Sequence, residues 1–109
     1  MFGFIQRKLE EKILGDIHLE LISSYGLVNM FYRSIDCHLG GQHTHKILGI
    51  RLRQELRVFV HFCDSVGLVA IQNNSQEYPW VEANWLTPDT KKSAASMVMF
   101  LAKVEDKFG

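Results

Sequence analysis

Residues 46–66 read KILGIRLRQELRVFVHFCDSV, and the architecture turns on whether this stretch winds into one helix or folds into strands. Leu48, Leu52, Leu56, Phe59, Cys63 and Val66 recur at spacings of three and four, which puts them on one face of a helix, with Val60 beside them. Arg53, Arg57, His61 and Asp64 fall opposite, and Gly67 suits the position just past a helix end. The rival is a strand over 57–63, where Val58, Val60 and Phe62 are strand formers. A stripe of six members outlasts an ordinary strand, so the spacing predicts a central helix over 46–66. Ile47, Ile50 and Val58 then lie on its polar side, as a second buried contact or a partner surface.

Upstream, residues 2–14 carry Ile5, Leu9 and Ile13 at spacing four. Continuing that phase would bring Asp16 and Glu20 onto the apolar face, so a helix ending at Gly15 is expected, with a longer N-terminal helix as the alternative. Ile17, Leu19 and Leu21 alternate with His18 and Glu20, a strand pattern, and 23–26 reads as a turn before a second strand at 27–33. A short helix over 27–38 is the competing reading there. Residues 38–45 are a loop by composition, because adjacent Gly40 and Gly41 cost backbone entropy inside an element, and Thr44 is a candidate N-cap.

Downstream, 68–72 and 80–85 read as a second hairpin around a polar loop at 73–79. The C-terminal helix follows Thr87 as N-cap, with Pro88 at its first position and Asp89 at the positive dipole end. Its stripe is Ala94, Met97, Leu101, Val104 and Phe108. The expected fold is α+β, three helices with antiparallel hairpins in the order α-ββ-α-ββ-α, with an all-α helical bundle as the alternative. In architecture alone this order is similar to that of the small dimeric chaperones of type III secretion; no motif of that family is present.

The 109 residues are expected to form a single globular domain, 1–109. Apolar residues make up 47% and charged residues 22%, which argues against disorder. Twelve basic and twelve acidic residues cancel, which disfavours broad electrostatic attraction to nucleic acid or anionic membrane. No apolar run is long enough to span a bilayer, no signal peptide is read, and two cysteines make no disulfide framework. A cytoplasmic location with reduced thiols is expected.

Cys37, His38, His43 and His45 are of zinc-ligand type, but their spacing contains no CxxC or HxxxH pair, so no metal and no cofactor are expected. Neither cysteine is placed to be activated by a histidine or a helix N-terminus, and no nucleophile motif is present, so no enzyme is expected. The Gly40–Gly41 pair matches no phosphate-binding fingerprint. Lys46, Arg51, Arg53 and Arg57 give the predicted central helix a basic face that could follow a phosphate backbone. Ile47, Ile50, Val58, Met99 and Phe100 exceed what three helical stripes can bury, and Tyr25, Tyr32, Tyr78, Trp80, Trp85, Met97 and Met99 are of the aromatic and Met types enriched in interface cores. The expected function is therefore a small non-catalytic adaptor that self-associates as a homodimer and binds a protein partner through this apolar set. The alternatives are a nucleic-acid-binding regulator using residues 46–57, or a metal- or ligand-responsive domain at the histidine loop.

Overall fold

In the computed structural model the stretch at 46–63 is strand, turn and strand. The structure describes residues 2–27, 29–36, 44–63, 66–78, 80–82, 85 and 89–108, with side chains described at 8–27, 29–34, 46–62, 67–78, 80–81, 85 and 89–108. The elements are α1 (Phe2–Tyr25), β1 (Met30–Asp36), β2 (Thr44–Arg53), β3 (Leu56–Cys63), β4 (Val66–Asn73), β5 (Gln76–Glu77), β6 (Val81–Glu82) and α2 (Thr90–Phe108).

The predicted central helix is thus replaced by β2 and β3, and the strand alternative at 57–63 is the one adopted. The physical reason is period two. Leu48 and Ile50 stand opposite Val60 and Val58 across the ladder, and with Leu56 all of them are buried in the core. Ile47, Gly49 and Phe59 take the intervening positions, so the stretch is apolar on both faces of the sheet. Its apolar residues are dense enough to match a helical spacing as well. Ile50 and Val58, expected on a polar face, are completely internal, at 1% and 0% exposure. Thr44 opens β2 and caps no helix.

The second correction concerns Gly15. α1 runs through it to Tyr25, so the hairpin expected over 17–33 does not form and the longer helix does. The buried stripe is Glu10, Leu14, Ile17 and Leu21, a phase rotated from the predicted Ile5, Leu9 and Ile13; Leu9 is 54% exposed. In the true phase Asp16 and Glu20 leave the core, which removes the conflict that argued for a break. The helix ends at Gly26, whose φ of 68° is a left-handed cap conformation. The Gly26 N–H donates to the Ile22 carbonyl at 3.1 Å, the single bond of an αL cap, and Leu27 N–H reaches the Leu21 carbonyl at 3.2 Å.

β1 covers much of the strand expected at 27–33, and the competing helix over 27–38 is absent; β1 pairs with β2 and not with residues of α1. β4 contains the strand expected at 68–72. The second hairpin exists in reduced form, as two-residue strands on β4: β5 opposite Gln72 and Asn73, β6 opposite Leu68 and Val69. α2 has the predicted stripe, with Ala94, Met97, Leu101 and Val104 buried. Thr87 and Pro88 lie outside the described residues. Asp89 does the capping: its carboxylate accepts from the Lys91 N–H at 2.9 Å and its carbonyl from the Ser93 N–H.

The sheet is antiparallel throughout, in the order β1-β2-β3-β4-β5, with β6 also on β4. α1 and α2 pack against each other and cover one face, sharing one core with the strands. The fold is α+β with two helices, not three, and it is not an all-α bundle. The interleaved order on which the likeness to secretion chaperones rested is not the order of this chain. No helix among the described residues is long and apolar enough to cross a membrane.

Candidate functional site

The sheet face turned away from the helices is where the composition departs from a plain solvated surface. An antiparallel sheet with one covered face normally alternates apolar-in and polar-out. Here the outer face is organised in rows set by the register. Phe31, Gly49, Phe59 and Ala70 stand in line across β1 to β4. Beside them runs Arg51, Arg57, Gln72 and Glu77. On the other side Arg33 stands opposite Ile47, and His61 opposite Leu68.

These side chains pack on one another without a helix above them. The Phe31 ring lies on Gly49, where an added Cβ would run into it, and its edge meets Phe59 with centroids 6.0 Å apart. The Arg33 guanidinium sits 5.9 Å over the Phe59 ring. His61 and Trp80 meet edge to face at 5.8 Å. Ile47, Phe59 and His61 are buried as a result, while Trp80 remains 38% exposed.

Between them lies a concavity of about 510 Å³, lined by Arg33, Ile47, Phe59, Gln72, Tyr78 and Trp80 among others. That volume is in the range of ligand and side-chain pockets. It reaches the outer edge of β4 where neither short strand pairs with it, at Ala70 and Ile71. Tyr78 closes this end, held by its N–H on the Ile71 carbonyl at 2.9 Å and by ring contact with Phe108 of α2.

The face carries three guanidiniums and, lining the concavity, the Glu77 carboxylate, so it is basic on balance. Arg51 and Arg57 are directly opposed like charges, an arrangement that costs stability in a sheet. The Arg57 Nε is buried and has no hydrogen-bond partner among the described residues. Arg33 adds a third guanidinium beside the concavity.

The four basic residues singled out in the sequence are split by the sheet. Arg51 and Arg57 share the outer face. Lys46 stands on the helix side with its Nζ 5.2 Å over the Tyr32 ring, and Arg53 donates to the Phe108 carbonyl at the end of α2. The apolar set is split as well. Ile47 and Trp80 belong to the outer face. Ile50, Val58 and Trp85 are core, the last at 1% exposure, and Phe100 packs partly against that core. Met99 alone projects from α2, 65% exposed. Cys37, His38 and His43 lie outside the described residues, as does the side chain of His45 on β2. Among the described residues no three metal-ligand side chains cluster.

Arg33 and Phe31 are not site residues in the sequence reading, and Phe59 is there only a member of the helical stripe. The signal was present: in period two, 31, 33 and 47, 49, 51 and 57, 59, 61 collect arginines and aromatics on a face the helical wheel scattered. Comparisons with models of known families, with curated proteins and with solved structures found no match.

Proposed function

We propose that the protein is a non-catalytic binding domain whose outer sheet face receives a segment of a protein partner, with an apolar or aromatic anchor in the concavity and an acidic group against Arg33 and Arg57. The observation that supports this is the apolar row across a face that no helix among the described residues covers. Ile47 and Phe59 are buried within it, but Phe31 is half-buried and Trp80 is 38% exposed, and a partner's side chain would complete their packing. The Arg57 Nε, without a partner among the described residues, supplies the polar half of the reading. The location we favour is the cytoplasm, on the two cysteines expected to stay reduced.

Selection of a displayed random-peptide library on the purified protein tests this. Selected peptides should share an aromatic or large aliphatic residue near an Asp or Glu. Trp80→Ala should weaken a selected peptide by tenfold or more, about 1.4 kcal/mol. Peptides whose affinity is indifferent to both Trp80→Ala and Arg33→Ala would place binding elsewhere and refute the reading.

The opposed pair Arg51–Arg57 favours a second reading, single-stranded nucleic acid tracking across the face. It predicts oligonucleotide affinity that falls steeply with salt and with Arg51→Ala plus Arg57→Ala. A peptide ligand anchored by Trp80 would be salt-tolerant by comparison.

A further inference from the structure

The two edges of the sheet are unlike. The β4 edge is occupied on either side of Ala70 and Ile71 by β5 and β6, each only two residues long. Short edge strands of this kind block further pairing. The β1 edge is seven residues long, contains no proline, and among the described residues nothing pairs with it.

The ladder fixes which backbone groups of β1 point outward. The Arg51 N–H donates to the Asn29 carbonyl at 2.8 Å, so Asn29 and Arg51 form a hydrogen-bonded pair. By the alternation of an antiparallel ladder, Phe31 and Arg33 also turn their N–H and C=O groups to β2. Met30, Tyr32 and Ser34 turn theirs to the open edge.

His18 Nδ1 lies 2.9 Å from the Tyr32 hydroxyl, which turns that side of α1 toward β1. Ile22 is one turn beyond His18 on the same side and is 39% exposed. Gly15 lies on this side too, and a Cβ there would meet nothing within 4 Å.

From the open strand, with the other edge occupied, we infer that a second copy of this chain pairs along β1, antiparallel, about a two-fold axis normal to the sheet. The two sheets become one, with Ile22 of each α1 turned toward the axis. A second copy is favoured because a two-fold satisfies both edges with the same groups, and because a net charge of zero opposes association with no long-range repulsion. Continuity of faces and of hydrogen bonds allows only registers in which even-numbered residues oppose even-numbered ones. The register centred on Arg33 sets that arginine against its copy and is disfavoured, so among registers that pair most of the strand the axes at Tyr32 and Ser34 remain.

Light scattering after size exclusion should give twice the 12.6 kDa of one chain. Ser34→Pro, which removes an outward donor and no ladder bond, should give a folded monomer. Amide exchange provides a readout that folding alone would not move. In the wild type the Tyr32 and Ser34 amides should be protected along with those of Phe31 and Arg33; in the Ser34→Pro variant the Tyr32 amide should become fast while those of Phe31 and Arg33 stay slow. A monomeric wild type overturns the inference. So does a dimer whose Tyr32 and Ser34 amides exchange freely, or one that survives Ser34→Pro.

Discussion

Gly67→Ala should destabilise the protein, although alanine is intrinsically better in a strand. Gly67 pairs with Phe62 at the start of β4, and the indole of Trp85 lies flat on it. An added Cβ would stand 2.7 Å from the Trp85 ring. Trp85 is 1% exposed and its Nε1 is buried without a partner among the described residues, so the ring is held by shape. Moving it strains the core, at a cost of about 1–3 kcal/mol for overpacking. The lower conformational entropy lost by alanine returns about 0.5–1 kcal/mol. The net loss is about 1–2 kcal/mol, and at about 4 °C per kcal/mol for a chain of this size Tm should drop by about 4–8 °C. Gly49→Ala is the matched control. Its Cβ also runs into an aromatic ring, but Phe31 is only half-buried and the contact is with the tip of the ring, which can swing. There the loss is limited to the Phe31–Phe59 contact, roughly 0.5–1.5 kcal/mol, and is largely offset by the glycine term. Thermal and urea denaturation of both variants, and of Gly67→Ala in a Trp85→Phe background, measures this. A Gly67→Ala protein as stable as the wild type, or a cost unchanged by Trp85→Phe, would refute the reasoning.

Two further outcomes are expected. Asp89→Ala removes the carboxylate that caps α2 and should cost about 1 kcal/mol, seen as a Tm lower by about 4 °C, whereas Asp89→Asn should recover most of it. Burial raises the Tyr32 phenol above its ordinary value of 10.0, because the ionised form is poorly solvated. Folding therefore retains a proton that the unfolded chain releases, so this contribution is intact below about pH 10 and is lost as pH rises through the folded value. Denaturant midpoints followed from neutral into alkaline pH should fall less steeply for Tyr32→Phe than for the wild type.

What the sequence could and could not disclose follows from signal strength at particular residues. α2 was legible because its stripe coincides with one helical face, and only its cap moved, from Thr87 to Asp89. β4 was legible because its short apolar run is bounded by turn residues. The β2–β3 hairpin was hidden for two reasons. Its turn is Gln54–Glu55, with none of the glycine, asparagine or proline that marks a hairpin, and its strands are apolar on both faces. Periodicity distinguishes helix from strand only when one face is polar, and here the outer face carries Ile47 and Phe59. That same property is the functional signal. The residues that a helical reading left as surplus divide into a true core at Ile50 and Val58 and an outer row that holds Ile47.

The two proposals constrain each other through symmetry. A two-fold axis normal to the sheet keeps both helix layers on one side and brings both outer faces to the other. The apolar rows of the two copies then lie on one continuous platform, with Arg33 of each next to the shared edge. Pairing along β1 consumes backbone groups of Met30, Tyr32 and Ser34, whose side chains turn to the helix side, and leaves Phe31 and Arg33 facing the platform. Dimerisation therefore uses none of the side chains assigned to the partner. A partner long enough to cross the axis would engage two concavities at once, and its second contact would be intramolecular, which raises avidity without any new contact within either site. The outward side chains of Phe31 and Arg33 for the partner and the even-numbered edge for the copy are both consequences of the period of two in β1.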